Sequence, residues 1–250
     1  MLPQNAMSAP GPILSVIVVC RNPGDRLPAA LASVWAQQGP APELIVIDGA
    51  STDGSREWLE AQRARIAVLV SEPDGGIYDA MNKGLARATG EWVLFLGADD
   101  RLADPSALVR RLPALALSSA DVVTGEARFD DGRLYPPAPA SAAIRRNFLH
   151  HQATFYRRRL FAGRGFDSTL RVMADYEFNL RLLHGGAAFE VLPGLVAECG
   201  SGGASDGGTW TVYREEITVR HRHFPAWRCW PWDVASVIRF LRKRLLRSAA

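Results

Sequence analysis

The sequence predicts an α/β protein built on a mostly parallel sheet with helices on both faces. Three observations carry this expectation. Short apolar runs rich in β-branched residues recur at 13–20, 44–47, 66–70 and 92–96. Helix-length amphipathic segments alternate with them, and glycine- or aspartate-bearing turns separate the two. Strands alternating with helices at this spacing build parallel units, whose inner strands are apolar on both faces.

The run 13–20 is the expected first strand, broken by Arg21-Asn22-Pro23-Gly24. A helix follows over 27–38, with Leu27, Leu31, Val34 and Trp35 on one face. Residues 44–47 form a second buried strand that ends in Asp48, and Ser51-Thr52-Asp53-Gly54 starts a second helix carrying Trp58 and Leu59 inward. The third strand, 66–70, runs into Gly75-Gly76, a helix over 77–88, and the apolar run 92–96, too short for a helix. That strand delivers Asp99-Asp100 to the carboxyl edge of the sheet, where open α/β sheets place ligands. A helix over 105–117 and a strand over 122–125 complete the regular half.

The second half is less regular. A strand is expected over 152–156 and a short last strand over 189–192, with a helix over 174–183 that carries Asp175 and Glu177 in its first turn. The Gly/Ser-rich stretch 199–208 reads as a mobile loop, and 209–224 can be helical. From Trp232 onward, Val234, Val237, Ile238, Leu241 and Leu245 recur at helical spacing among arginines. The expected organisation is one catalytic-size domain over 1–226, with a flexible start over 1–12, and a basic amphipathic tail over 227–250.

Composition narrows the function classes. Apolar residues make up 48% of the 250 and charged residues 22%, enough for a sizeable core. The net charge of +3 and the absence of a basic-aromatic module argue against wholesale nucleic-acid binding; basic residues clustered late in the chain favour an anionic substrate or membrane surface. Three scattered cysteines give neither a disulfide framework nor metal spacing, so a reducing, cytoplasmic setting is expected. No leader-like or spanning apolar segment is present, which leaves the tail as a candidate for peripheral attachment at the inner membrane face.

Asp48 and the Asp99-Asp100 pair end two strands that the crossover rule brings to one edge. Adjacent carboxylates repel unless a cation or distinct partners separate them. One carboxylate can accept from a pyrimidine imide or ribose hydroxyls, and another can hold a magnesium or manganese ion that bridges a diphosphate. A polar turn capping the next helix is the other use of such a pair. Asp175 is the candidate base for an acceptor hydroxyl, with helix capping as its alternative and Glu177 as fallback. Neither G-x-G-x-x-G nor G-x-x-x-x-G-K-[ST] occurs in place, which argues against dinucleotide and P-loop sites.

Residues 14–19, 44–55 and 71–84, followed by Phe95-Leu96-Gly97-Ala98-Asp99-Asp100, His151-Gln152-Ala153 and Ala174-Asp175-Tyr176-Glu177, together resemble glycosyltransferase family 2. The likeness is to the bacterial exopolysaccharide group that includes colanic-acid transferases. It implies a GT-A, Rossmann-like fold with an irregular acceptor-side half, a nucleotide-diphosphate sugar donor, a saccharide or lipid-linked acceptor, a divalent metal (Mn2+ or Mg2+) and inversion at the anomeric carbon. By position, the resemblance assigns Asp48 to the nucleotide base, Asp99 to its ribose, Asp100 to the metal and Asp175 to the catalytic base. Val19, Arg21 and Asp74 join the donor-binding set. Two positions depart from the family pattern: the first strand ends in Cys20-Arg21-Asn22, and Ala174 stands where a glutamate is usual. A catalytically silent nucleotide-binding domain and a membrane-associated scaffold are the rival functions.

Overall fold

The computed structural model describes residues 11–200 and 209–248. β1 (Leu14–Cys20) is buried along its whole length, as a central parallel strand must be. Its alternate residues enter two cores. Leu14, Val16, Val18 and Cys20 face one cluster, and Ile17 and Val19 face the other. α1 (Arg26–Trp35) puts Leu27, Leu31 and Val34 into the first core. β2 (Glu43–Asp48), α2 (Ser55–Ala61) and β3 (Val68–Ser71) follow. α3 (Ile77–Leu85) covers the opposite face. It lies so close to β1 that a Cβ at Gly84 would meet Ile17 Cγ2 at 2.5 Å.

β4 (Trp92–Gly97) closes the parallel set; β5 (Arg101–Leu102) is a short return. The expected helix over 105–117 is only α4 (Leu112–Leu117), preceded by turns. Pro113 is the reason: at the first turn it is tolerated, whereas inside a longer helix it would remove a hydrogen bond and clash with the preceding turn.

The irregular half has more strand than the sequence suggests. β6 (Val122–Phe129) extends four residues past 125, and β7 (Leu134–Tyr135) pairs back onto it. β8 (Thr154–Arg157) precedes α5 (Ala174–His184). β9 (Phe189–Cys199) is eleven residues long rather than four. Pro193-Gly194 suggests a stop, but the strand absorbs them through register shifts against β6 between Thr124 and Ala127. α6 (Trp210–His223) and α7 (Ala226–Ser248) end the described chain, α7 beginning six residues before Trp232.

The strands make one sheet in the order β3-β2-β1-β4-β8-β6-β9-β5. The first four run parallel, β8 lies antiparallel between β4 and β6, and β9 is parallel to β6. It is thus a mixed α/β sheet with helices on both faces. Cys20 pairs with Asp48 and Val19 with Gly97, so the ends of β1, β2 and β4 share one edge.

Candidate active site

That edge opens into a cavity of about 730 Å³. One wall is the carboxyl edge of the parallel strands, with Val19, Arg21, Asp74, Asp99 and Asp100. The other is built by the irregular half, with Tyr135, Asn147, His151, Asp175 and Tyr213. Six arginines (Arg21, Arg26, Arg133, Arg146, Arg171 and Arg239) line it beside five carboxylates (Asp74, Asp99, Asp100, Asp175 and Glu216), so the cavity offers groups of both signs.

Asp100 is 3% exposed. Its Oδ2 accepts from Gly97 N–H at 2.7 Å and from Gln152 Nε2 at 3.0 Å. Burial, then the charge of Asp99, raises the Asp100 pKa. A Cβ at Gly97 would come within 2.8 Å of a carboxylate oxygen of both Asp99 and Asp100, so only glycine lets the pair fold back over the strand end. Asp99 is half-exposed beside Arg26 Nη1 at 3.6 Å.

No cluster of three or more His, Cys, Asp or Glu donors occurs among the described residues. The residues present nevertheless fit a magnesium- or manganese-type ion, which takes one or two carboxylates and leaves its other positions to phosphates and water. Gln152 Oε1, on the same amide that donates to Asp100, is buried without a partner among the described residues. A cation there would also offset the charge repulsion within the pair.

Asp175 sits in the first turn of α5 and lines the same cavity. Four donors converge on it: Tyr78 Oη and Tyr176 N–H at 2.9 Å on Oδ1, and Asn147 Nδ2 at 2.9 Å and His151 Nδ1 at 3.1 Å on Oδ2. Burial opposes ionisation, but His151 and the other donors outweigh it and hold the pKa below the usual carboxylate value. An ionised carboxylate can only accept, so His151 carries its proton on Nδ1. Asp175 thus serves a helix-end N–H and faces the cavity at once. Glu177, two residues on and turned to the other side of the helix, lies outside the cavity lining, against Arg164, Arg181 and His223.

Asp48 is placed differently from the other predicted residues. It is fully buried and is not part of the cavity lining. Its carboxylate accepts from the Ser51 hydroxyl, from Ser51 N–H at 3.0 Å and from the Ser71 hydroxyl at 2.6 Å, with Cys20 Sγ at 3.7 Å. Ala50, held at φ 56°, turns the chain so that Ser51 reaches back. The other predicted donor residues all reach the lining: Asp74 accepts from Gly76 N–H at 2.9 Å. Sequence reasoning missed Tyr78 and Asn147, and it assigned no role to His151-Gln152. Those neighbours touch the two key carboxylates, His151 on Asp175 and Gln152 on Asp100. The sequence showed the pair as a motif of the family resemblance or a buried hydrogen-bonding pair, without its partners, both of which are remote in it.

The sequence profile of "Glycosyl transferase family 2" matches residues 15–175, more than half of the chain and all of the predicted site. The chain belongs to glycosyltransferase family 2. It is 34% identical over 180 residues, 68% of this chain and 69% of the other, to a "PGL/p-HBAD biosynthesis glycosyltransferase" of Mycobacterium bovis (strain BCG / Pasteur 1173P2). It is 39% identical over 93 residues, 36% of this chain and 37% of the other, to the "Putative teichuronic acid biosynthesis glycosyltransferase TuaG" of Bacillus subtilis (strain 168). S. aureus TarS 1-349 in complex with UDP-GlcNAc has the same fold, with TM-score 0.69 at 20% identity over 84% of this chain and 66% of that one. In the UDP complex of that TarS fragment the match spans 82% of this chain and 64% of the other. The mannosyltransferase PcManGT from Pyrobaculum calidifontis, in complex with GDP-Man and Mn2+, matches with TM-score 0.62 at 21% identity over 96% of this chain and 80% of that one. The family-2 chain is therefore a GT-A glycosyltransferase.

Proposed function

We propose that this glycosyltransferase moves a sugar from a nucleoside-diphosphate donor to a hydroxyl of a saccharide or lipid-linked acceptor in surface-polysaccharide synthesis, with inversion and with a divalent metal. The observation that carries the reading is the placement of Asp100 and Asp175 on opposite walls of one cavity, each held by one residue of the His151-Gln152 pair. The neighbours solved with UDP-GlcNAc and with GDP-Man and Mn2+ support the donor class and the metal.

Arginines of the lining meet the diphosphate, and Asp99 is available to ribose hydroxyls. Asp100, with Asp99 and Gln152 Oε1 near it, would hold Mn2+ or Mg2+, which when bound stabilises the leaving diphosphate as a Lewis acid. Asp175 takes the proton of the acceptor hydroxyl. Its four donors keep the carboxylate ionised and fixed in direction, so the base needs no reorganisation before attack. A single base opposite the leaving group gives inversion. Asp48 shapes the end of the site for the nucleotide base from behind; contact with a base N–H requires the Ser51 or Ser71 hydroxyl to rotate away.

The test is turnover of a panel of labelled nucleotide sugars with Mn2+ or Mg2+ and saccharide acceptors, with the product anomer read by NMR. Transfer with inversion supports the proposal. Metal-dependent nucleotide binding without transfer or donor hydrolysis would mark a silent domain instead.

A further inference from the structure

The outer face of α7 carries an apolar stripe that the domain leaves uncovered. α7 docks inward through Cys229 and Ser236, both fully buried, and through Asp233 on Arg220 and Arg239 on Glu216. At about 100° per residue, Trp227, Trp230, Val234, Ile238, Leu241 and Leu245 all fall within an arc of roughly 80° on the opposite side. Their exposures bear this out: Trp227 is 74% exposed, Trp230 64%, Ile238 51% and Leu245 68%. Of the stripe expected from the sequence, only Val237 turns partly inward. The stripe is about 27 Å long at 1.5 Å per residue.

Exposed Arg228 and Arg242 border it on one side and Arg244 on the other, none with a carboxylate partner among the described residues. Asp233, the one acidic residue of α7, is turned to Arg220 and His221. A second copy of the chain packed stripe to stripe would set these arginines against each other. A surface of anionic headgroups over acyl chains matches both features, with the tryptophans at the interface and the arginines reaching to the headgroups. No helix among the described residues is long and apolar enough to cross a membrane, so the helix would lie in the plane of the surface.

We propose that α7 holds the protein on an anionic lipid bilayer through this stripe. Arg239 of the same helix lines the sugar-transfer cavity, as do Tyr213 and Glu216 of α6. The cavity wall and the bilayer are then one helix diameter apart, about 10 Å. This placement, which rests on the function proposed above, selects a lipid-linked acceptor over a free saccharide.

The test is flotation of the full chain with phosphatidylcholine vesicles, with and without phosphatidylglycerol, at low and high salt. Binding is expected to the anionic vesicles alone and to weaken with salt. Arg242→Gln and Arg244→Gln should each lower the partition coefficient about fivefold, and Ile238→Asp or Trp230→Ser by about tenfold or more. Melting temperature and nucleotide binding should stay at wild-type values, because these side chains touch neither core nor cavity. Absent binding, equal binding to both vesicle types, or partition unchanged by all four substitutions overturns the proposal. A dimer in ultracentrifugation that Ile238→Asp dissociates would overturn it too, assigning the stripe to a second copy. Loss of nucleotide binding by the wild-type chain would instead strike the proposed function and leave the vesicle result standing.

Discussion

Replacing Asp175 by asparagine separates its structural use from its chemical use. The carboxylate accepts two hydrogen bonds on each oxygen. An amide offers one acceptor and one donor group, so two of the four donors meet an NH2. With the NH2 at the Oδ2 site, His151 can adopt its other tautomer and accept at Nδ1. Asn147 cannot turn its amide without breaking the bond from Asn179 Nδ2 to Asn147 Oδ1 at 3.0 Å. The opposite orientation faces Tyr176 N–H, which cannot adapt at all. One buried donor is thus left unsatisfied in the better orientation, costing about 1–3 kcal/mol of stability. Loss of the base should slow transfer by about 10² to 10⁴ at saturating donor. The assays are denaturant unfolding, nucleotide titration and single-turnover transfer, on wild type and variant together. Transfer within a few-fold of wild type, alongside the stability loss, would refute the role of Asp175 as base and leave it as a hydrogen-bonding hub.

Three further outcomes follow from the same geometry. Gln152→Ala removes a donor from Asp100 and should weaken manganese-dependent nucleotide binding about 10- to 100-fold, measured by calorimetry, with little change in metal-free binding. Asp48→Ala strips Ser51, Ser71 and Cys20 of their shared acceptor and should lower stability by about 2–4 kcal/mol in chemical denaturation, besides weakening nucleoside-diphosphate binding. Because the folded pKa of Asp175 lies below its unfolded value, its ionised form stabilises the fold above about pH 4. That contribution is lost as pH falls through the depressed folded value. Comparing wild type with Asp175→Asn in acid titration should show the stability gap narrowing as pH falls from about 4 towards that depressed value.

The parallel half was legible because its signals are local. Buried strands are short apolar runs, and Asp48, Asp99 and Asp100 stand at their ends, so alternation with helices placed these residues near one edge. Strand identity beyond 125 and 192 was not legible, since Pro193-Gly194 looks like a stop and only pairing with β6 carries β9 through it. For the site, the sequence preferred Asp175 to Glu177 by its place at the helix start; the cavity separates them because the first turn of α5 points one inward and sets the other against Arg164, Arg181 and His223. Tyr78 lies 97 residues from Asp175 and Asn147 lies 28, distances at which no periodicity speaks. Asp48 shows the converse limit. Its strand end was foreseen, yet the seryl hydroxyls that occupy its oxygens come from the turn after β2 and from the end of the neighbouring strand β3.

The central claim is that the cavity binds a nucleoside diphosphate through a metal held at Asp100. Calorimetric titration of UDP and GDP into the wild-type chain and Asp100→Asn, each with and without Mn2+, tests it most directly. The account predicts that Mn2+ strengthens binding of at least one nucleotide to wild type by about tenfold or more, and that Asp100→Asn abolishes the gain while melting normally. Nucleotide binding that is indifferent to Mn2+, or a manganese effect that survives unchanged in Asp100→Asn, would contradict it.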